Sequence, residues 1–540
     1  MHAPSETVRS PLRTFALTGG EWAFLLAVVL GWSFFVVALG KDTSWDFRNY
    51  HWYIPYAFLN GRLGFDVAVA HQATYYNPLL DIPFYWLATH THSWLALGVL
   101  GAVQGLNVFP LYFLARETLE IEEKTLAAGA LALLGTSGAL TVSLYGTTYY
   151  DNVMSVFVLS ALALVIVKRE TLRAGPLLAT ALIAGGAGLL CGMAIGLKLP
   201  EAPFALGFAA ALLALGGDIR HLATRLVAGG IGGALGTMLF AAYWMLKMDH
   251  LTGNPLFPYF NEYFKSTLAL AAPYRDLRFV PTHFWRELFF PILFSIDWHV
   301  ADDLGFQDIR VGIAYVLVIA GTVLWLLGRR AKAPLVAPDA VWPLFAFAGA
   351  SYLMWLKIFA IYRYILLLEM LSPLLIVAAL GLMPMARRTQ LILAGVLFFA
   401  VLLTARSDFN EREPLGDPYV QVALPPIENP DRTVILMTGD GPLGYIAPSI
   451  PHQIPILRID GWMVQPQDGT KLTQAMKSRV DAARRKHEDL FLIAEAFDMT
   501  RAHDALADYG LAIRWTECRL FDTNLAGAYQ FCPLAPRQPR

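Results

Sequence analysis

Residues 21–40 read EWAFLLAVVLGWSFFVVALG, an apolar run of the length that crosses a bilayer as one helix. Residues 42–62, DTSWDFRNYHWYIPYAFLNGR, follow almost directly and combine two carboxylates, a histidine, two arginines and many aromatic side chains. The apolar run has a long leader before it and no small-residue cleavage site after it, which favours a retained anchor over a cleaved signal peptide. Together the two stretches predict a membrane helix that ends in reactive side chains.

The composition of the whole chain indicates a polytopic α-helical membrane protein. Its 540 residues are 56% hydrophobic and 15% charged, and the mean hydropathy is +0.48, which is too apolar for a soluble protein. The formal net charge of −1 says little about partners. No nucleic-acid partner is expected. About eleven spans are predicted, near residues 21–40, 93–115, 125–144, 152–167, 174–197, 202–217, 226–246, 311–328, 341–357, 361–383 and 389–405.

Lysine and arginine residues cluster in alternate loops, and this orients the chain because cytoplasmic loops carry an excess of positive charge. These residues are Arg9, Arg13, Lys168, Arg169, Arg173, Arg220, Arg225, Arg329, Arg330, Lys332, Arg387 and Arg388. The pattern predicts a cytoplasmic N-terminus over residues 1–20 and a transmembrane domain over residues 21–405. External loops are predicted at 41–92 and 247–310, and everything after residue 405 is also predicted to be external.

The segment after the last span has the pattern of a small α/β domain. Proline and glycine interrupt residues 406–430, which are predicted to be a linker. Residues 431–540 contain several short strand-like runs and an amphipathic helix near 470–487. Because Cys518 and Cys532 both lie in this external segment, we expect a disulfide between them, with two unpaired thiols as the alternative.

One motif in this domain has two interpretations. Gly439, Gly441 and Gly444 match G-x-G-x-x-G after a strand, and Asp460 follows about twenty residues later, as in dinucleotide-binding folds. However, Pro442 occupies the turn, and dinucleotides are scarce outside the cytoplasm. A tight turn that needs glycine dihedral angles is the simpler explanation.

Three carboxylates converge on the predicted outer face. Asp42 and Asp46 follow the first span, and Asp151 begins the fourth span. Carboxylates near the bilayer are costly unless they are paired, hydrated or bound to a metal, so they are candidate functional residues, although ordinary interfacial residues are the alternative. Basic residues occur at the same face and include Arg48, His51, Lys198 and Arg363. Acids beside cations suit a reaction in which a carboxylate accepts a proton from a hydroxyl while cations or a metal stabilise a departing phosphate.

Five stretches, in three regions of the chain, carry a resemblance to a known family. DFRNY at 46–50 is followed by LNGRLGFD at 59–66 and YYNPLLDIPFYWL at 75–87, and the later stretches are TTYYDNVMSVFVLSALAL at 147–164 and GMAIGLKLPEAPF at 192–204. Their order resembles that in the GT-C superfamily of membrane glycosyltransferases, which includes lipid A aminoarabinose transferases and protein O-mannosyltransferases. The resemblance covers roughly residues 20–405.

The resemblance implies an enzyme that transfers a sugar from a polyprenyl-phosphate-linked donor to an acceptor hydroxyl. By position, Asp46 matches the catalytic base, and Asp151 matches the second acidic residue. Many members carry glutamate after the first aspartate, whereas Phe47 stands here, so Asp42 is a further candidate for the base. The resemblance implies either a divalent metal, Mg²⁺ or Mn²⁺, at Asp46 and Asp151, or no metal.

Further contacts are assigned on the same basis. Expected donor-phosphate ligands are Lys198, Arg363, Arg48 and His51, and expected acceptor or sugar contacts are Tyr50, Tyr76, Asn77 and Tyr150. The implied partners are the lipid-linked donor, the lipid bilayer and a glycan, lipid or protein acceptor. The implied location is the bacterial cytoplasmic (inner) membrane, with the active site and C-terminal domain facing the periplasm or the exterior. A polysaccharide polymerase or ligase of the cell envelope is the nearest alternative, and a membrane transporter is the other.

Overall fold

The computed structural model describes residues 15–462 and 464–537. Arg9 and Arg13, which support the predicted cytoplasmic N-terminus, lie outside the described residues. The α-helices of the described ranges are α1 (Gly19–Leu39), α2 (Tyr53–Leu59), α3 (Ile82–His90), α4 (Ser93–Gly105), α5 (Val108–Thr118), α6 (Lys124–Thr136), α7 (Ala139–Ser143), α8 (Asp151–Val167), α9 (Arg169–Ala174), α10 (Leu177–Leu197), α11 (Pro203–Ala214), α12 (Ile219–Thr252), α13 (Asn261–Phe264), α14 (Phe284–Ile296), α15 (Arg310–Leu326), α16 (Pro338–Ile358), α17 (Leu366–Leu382), α18 (Arg387–Thr404), α19 (Lys471–Arg485) and α20 (Met499–Ala507).

The strands are short before residue 430 and longer after it. They are β1 (Lys41–Asp42), β2 (Phe306–Gln307), β3 (Arg406–Ser407), β4 (Arg412–Glu413), β5 (Thr433–Met437), β6 (Ile456–Arg458), β7 (Asp489–Glu495), β8 (Leu511–Ile513), β9 (Arg519–Asp522) and β10 (Ala528–Pro536). Two antiparallel pairs, β1 with β4 and β2 with β3, tie the predicted linker to earlier loops. The first part of that linker is therefore held by strand pairing.

The chain is a helical membrane protein. Within the described residues, seven helical segments are long and apolar enough to cross a bilayer, and four more are apolar but have 10–17 residues. Each predicted span overlaps one of these segments, and the count of eleven crossings stays a prediction. Several helix ends meet through polar contacts. Asp42, after α1, accepts from Thr148 before α8, Lys198 after α10 pairs with Asp151 at the start of α8, and Arg363 before α17 pairs with Asp46. We call this end of the bundle the site end.

The predicted span at 125–144 is interrupted. α6 ends at Thr136, and α7 starts at Ala139 after Gly138. The Ala139 N–H donates to Asp308, and the Thr141 N–H donates to Glu369. Carboxylates from two other segments thus satisfy N–H groups that a helix start leaves without intrahelical partners, which stabilises a new start at this position.

The six-stranded sheet has the order β6-β5-β7-β10-β8, with β9 paired to β10. β5 is parallel to β6 and β7, whereas β10 is antiparallel to its neighbours. All five residues of β5 are buried because both faces of the sheet are covered. Val434 and Leu436 pack towards α19 and α20, while Ile435 and Met437 pack towards residues of the 41–92 loop. The amphipathic pattern predicted near residues 470–487 corresponds to α19, and α20 is an additional helix that the sequence analysis did not predict.

The 41–92 loop and the sheet share one core. Val67 forms a parallel bridge with Leu457 at the edge of β6. Arg62 donates through Nε and Nη2 to Asp66, at 2.8 and 2.6 Å, and also to the Ile454 carbonyl at 2.8 Å. The Asp66 carboxylate accepts the Ile456 N–H at 3.0 Å. The buried Arg62–Asp66 pair therefore fixes the sheet on the loop that follows the first membrane helix.

Candidate active site

Asp46 lies at the site end of the bundle, a few residues after the first membrane helix. α1 ends at Leu39, and a five-residue π-helical segment, Phe47–His51, begins directly after Asp46. Asp46 Oδ2 accepts the Tyr50 hydroxyl at 2.9 Å and an Arg363 guanidinium N–H at 3.1 Å. Oδ1 has no hydrogen-bond partner within the ranges that the structure describes. One carboxylate oxygen is thus held in place, and the other is available to a ligand.

Asp46 faces a cavity of about 450 Å³, which we call the polar cavity. Its walls come from the 41–92 loop, the 247–310 loop, the turn between α16 and α17, and the C-terminal sheet. The lining residues that matter below are Trp45, Asp46, Tyr50, Tyr76, Tyr149, Tyr259, Arg275, Asp276, Arg278, Asp302, Asp303, Arg363, Tyr364, Glu411, Asp440 and Trp462. Four distant parts of the sequence therefore enclose one polar space beside Asp46.

A second cavity, of about 240 Å³, adjoins the first, and we call it the apolar cavity. It extends along the end of α10 and the middle of α12, where Met238 lines it and is also 46% exposed on the outside of the bundle. The two cavities share a wall made of Tyr50, Tyr76, Tyr149, Pro200, Tyr259 and Tyr364. Tyr76 stacks on Tyr259 with ring centroids 5.3 Å apart, and it meets Tyr50 edge to face at 5.4 Å. An aromatic wall thus separates a polar space from one bordering the membrane-facing helices.

Lys198 and Arg363 lie on opposite sides of this wall. Lys198 lines the apolar cavity and Arg363 the polar one. The Lys198 ammonium and the Arg363 guanidinium carbon are each 5.3 Å from the centre of the Tyr364 ring. Lys198 Nζ forms an ion pair with Asp151 and donates to the Tyr149 carbonyl at 2.9 Å. Two cations predicted to bind phosphate are therefore close to the boundary between the cavities.

The other two predicted acids are engaged with protein groups. Asp42 is fully buried, and its carboxylate accepts the N–H of Ser44 at 2.9 Å and both the N–H and the hydroxyl of Thr148, at 2.8 and 3.0 Å. These bonds join the 41–92 loop to the turn before α8. Asp151 lines neither cavity and holds Lys198. The geometry therefore favours Asp46 over Asp42 as the base, and it favours a positioning role for Asp151.

The remaining predicted contacts are divided between the two cavities and the core. His51 Nδ1 pairs with Asp81 at 2.7 Å, and His51 lines the apolar cavity. Asn77 also lines that cavity, but its amide donates to the Phe240 carbonyl and accepts from Leu79. Arg48 lines neither cavity. The buried Tyr150 ring lies 5.5 Å from the His51 ring and also lines neither. Tyr50 and Tyr76, in contrast, line both cavities.

Sequence reasoning missed Arg275. Its Nη1 donates to the Ile358 carbonyl at 3.2 Å, and its buried Nε has no hydrogen-bond partner in the described ranges. No carboxylate described here lies within ion-pair distance of it, although it lines the polar cavity. A cluster of charged residues is visible in PYRDLR at 273–278. However, nothing in the sequence places this loop at the same cavity as Asp46, which is more than two hundred residues earlier.

Two carboxyl groups of the polar cavity have raised pKa values. Burial, together with the negative charges of Asp42 and Asp46, raises the pKa of Glu411 to about 7. Burial also raises the pKa of Asp302 to about 6, and the charge of Arg363 opposes this rise. Asp302 accepts the Arg363 backbone N–H at 2.8 Å, so it holds the turn that carries the guanidinium. Both groups therefore change charge within the physiological pH range.

The donor set does not fit a divalent metal. In residues 15–462 and 464–537, no group of three or more histidine, cysteine, aspartate or glutamate side chains is arranged to hold a metal ion. Asp46 is paired with Arg363, and Asp151 is paired with Lys198. A cation would have to displace these basic partners, so no step below uses a metal.

The C-terminal motifs also have structural explanations. Cys518 and Cys532 form a disulfide, as expected, with Cα atoms 4.2 Å apart. Gly439 has φ +101°, and a Cβ on Gly444 would lie 2.0 Å from the Asn49 carbonyl oxygen. Asp460 pairs with Arg501 at 2.7 Å. The glycines thus serve a turn and a close approach between the sheet and the 41–92 loop.

No protein-family model, curated protein or solved structure matches this chain. The class is therefore defined by the fold alone, and it is a helical membrane protein. The site adds a pair of adjoining cavities, one polar and one apolar, with a carboxylate and cations where they meet.

Proposed function

We propose that this protein is a membrane glycosyltransferase that transfers a sugar from a polyprenyl-phosphate-linked donor to an acceptor hydroxyl. The observation that carries the proposal is the position of Asp46, which lines the polar cavity while that cavity shares an aromatic wall with the apolar one. A lipid-linked sugar has the same division, because its tail is apolar and its sugar phosphate is polar.

The two cavities suggest how such a donor would bind. The prenyl chain would lie in the apolar cavity against α10 and α12, where Met238 borders the outside of the bundle. The phosphate would lie near Tyr364, between Lys198 and Arg363, and the sugar would enter the polar cavity. Arg275 has no acidic partner among the described residues, so it is a third cation free to bind the phosphate.

The chemistry is a displacement at the anomeric carbon of the donor sugar. The acceptor hydroxyl oxygen forms a bond to that carbon as the bond from the carbon to the phosphate oxygen breaks. Asp46 Oδ1 accepts the hydroxyl proton, and the electron pair of the broken bond leaves on the polyprenyl phosphate. Arg363 and Arg275 stabilise the charge that develops on this leaving group. Tyr50 and Arg363 fix the other Asp46 oxygen, so that the base is positioned before the acceptor binds.

The proposed architecture places this reaction outside the cytoplasm. We propose that the four shorter apolar helices also cross the bilayer, giving eleven spans. α8 and α15 have 17 residues and reach about 26 Å, close to the thickness of the hydrocarbon core, and α6, which has 13 residues, is continued by α7. Residues 431–540 would then form an extracytoplasmic α/β domain of a protein in the bacterial inner membrane. In this orientation the polar cavity faces the periplasm or the exterior.

A donor-cleavage assay tests the function. Purified full-length protein in lipid nanodiscs is incubated with a radiolabelled polyprenyl phosphate sugar, and the release of free lipid phosphate is measured. We expect Asp46→Asn to lower the rate by roughly 10²- to 10⁴-fold, because the amide keeps the shape of the carboxylate but cannot accept a proton. Arg275→Ala should raise the KM for the donor.

Asp481→Asn is the matched control, since Asp481 is exposed on α19 and lines neither cavity. It should release lipid phosphate at the wild-type rate. Near-normal turnover by Asp46→Asn would remove Asp46 as the base. Absence of any donor cleavage by the wild-type protein, across polyprenyl phosphates carrying hexose, aminopentose and N-acetylhexosamine, would contradict the proposed function.

A further inference from the structure

Two tryptophans line the polar cavity on the side of the C-terminal sheet. Trp45 immediately precedes Asp46, and Trp462 follows β6. Their ring centroids are 6.4 Å apart, and their planes meet at 85°. Trp462 is 56% exposed, so a large part of its indole surface is available to a ligand. The two indoles therefore form an L-shaped corner that is open to the cavity.

The corner is held by the surrounding structure. Gly461 and Val464 exchange backbone hydrogen bonds, so Trp462 projects from a tight turn. A Cβ on Gly461 would lie 1.9 Å from the His71 ring, so the turn packs directly on His71. Trp45 is parallel to the same His71 ring, with centroids 6.4 Å apart, and its indole N–H donates to the Asp440 carbonyl at 3.2 Å. The pair is thus positioned without a ligand.

Arginine side chains orient several of the carboxylates that line the polar cavity. Arg501 pairs with Asp440, and Arg278 donates to both Asp276 and Asp303 at 2.6 Å. A carboxylate held in this way keeps acceptor capacity for further hydrogen bonds. Counted over its whole lining, the cavity has six carboxyl groups and three guanidinium groups. This excess of acid disfavours an anionic acceptor.

We propose that the acceptor is a neutral carbohydrate that binds in the corner formed by Trp45 and Trp462. This inference rests on the proposed function and specifies its second substrate. A pyranose ring presents an apolar C–H face that stacks on an indole, while its hydroxyls donate to carboxylates such as Asp440 and Asp276. Because Trp45, Trp462 and Asp46 line the same cavity, a sugar on the corner brings a hydroxyl towards Asp46 Oδ1.

The apolar cavity and the tryptophan corner lie on different sides of the polar cavity, which favours a water-soluble acceptor over a lipid one. The apolar cavity lies beyond Tyr50, Tyr76 and Tyr259, whereas the tryptophan corner is on the side of the sheet. The donor and the acceptor would therefore approach Asp46 from different sides, one from the membrane and one from water. This arrangement allows the hydroxyl to reach the anomeric carbon on the side away from the leaving phosphate.

The test is saturation-transfer NMR on the full-length protein in nanodiscs, with cellotetraose, maltotetraose, mannotetraose and chitotetraose as probes. We expect saturation transfer to at least one of them, loss of the signal in Trp462→Ala, and recovery in Trp462→Phe, which restores an aromatic face. Trp515→Ala is the matched control, because Trp515 is 54% exposed in the same part of the chain but lines neither cavity. It should bind as the wild type does.

A kinetic measurement separates this inference from the proposed function. Trp462→Ala should raise the KM for the bound oligosaccharide as acceptor by roughly ten-fold, whereas Trp515→Ala should leave this KM at the wild-type value. Donor cleavage together with an unchanged acceptor KM would overturn the inference alone. The inference is also overturned if no oligosaccharide binds, or if Trp462→Ala and Trp515→Ala bind equally well. If the protein binds an oligosaccharide but cleaves no donor, the proposed transferase function is contradicted instead.

Discussion

At the scale of single residues, the acids around the cavity differ in what their oxygens contact. Both Asp42 oxygens accept protein hydrogen bonds. Asp151 Oδ1 is held against Lys198, and its Oδ2 has no partner among the described residues but is buried and lines neither cavity. Asp46 uses Oδ2 for Tyr50 and Arg363 and leaves Oδ1 without a partner among the described residues. A base needs an oxygen that a hydroxyl can reach, and of these three acids Asp46 has one.

Glu411 gives a prediction about pH and stability. Its pKa is about 7 in the folded protein and 4.5 for an unperturbed side chain, so the native state binds the proton more tightly than the unfolded state. The contribution of Glu411 to the free energy of unfolding should therefore be greatest below pH 4.5. It should fall as the pH rises from 4.5 to 7 and stay constant above pH 7. Glu411→Gln should remove up to about 3 kcal/mol of this loss.

Thermal unfolding of the wild type and of Glu411→Gln at pH 5 and pH 8 checks this. The variant should gain stability relative to the wild type at pH 8 and gain much less at pH 5. Asp302, whose pKa is also raised, contributes equally to both proteins and so cancels from the difference. Glu428→Gln, at an exposed position of the predicted linker, is the control. An equal effect of Glu411→Gln at both pH values would show that the group does not titrate in this range.

At the scale of elements, the sequence predicts what local pattern determines and misses what distant contacts determine. The apolar runs gave the membrane helices because length and hydropathy are local properties. α14 lies inside the predicted 247–310 loop and contains Pro291, and α20 has nine residues, so neither has the long periodic pattern that marks a helix. The break after Thr136 depends on Asp308 and Glu369, which are far away in the chain.

The close approach of Gly444 to Asn49 gives a prediction about how the sheet docks. A Cβ at Gly444 would lie 2.0 Å from the Asn49 carbonyl oxygen, and backbone cannot move aside cheaply. Gly444→Ala should therefore push the sheet from the 41–92 loop and destabilise the protein by about 1–3 kcal/mol. Gly416→Ala is the control, because a Cβ there would meet nothing within 4 Å. Thermal unfolding and limited proteolysis measure the difference, and equal stability of the two variants would contradict the docking.

At the scale of the whole molecule, the site is formed by parts that no motif connects. Asp46, Lys198 and Arg363 could be identified as candidates from the sequence, because charged residues beside apolar runs are unusual. Arg275, Glu411 and Trp462 could not, since their relevance depends on the folding of the 247–310 loop and the sheet around the same cavity. The same is true of the division into two cavities, which is a property of the packed helices and loops.

The orientation of the whole chain in the membrane can be tested by cysteine labelling. The alternating positive loops place Glu122, Glu170, Asp218 and Lys332 on the cytoplasmic side, and Glu428 on the other side. These five side chains are exposed, and each can be replaced singly by cysteine in a background where Cys191 is buried and the other two cysteines are bonded to each other. A membrane-impermeant maleimide applied to cells with a permeabilised outer membrane should label Glu428→Cys and spare the other four variants. All five should react after the membrane is dissolved in detergent.

Labelling of Lys332→Cys with protection of Glu428→Cys would reverse the orientation, and the polar cavity would then face the cytoplasm. Labelling of Asp218→Cys together with Glu428→Cys would instead show that α10 and α11 do not both cross the bilayer, and the count of eleven spans would be wrong.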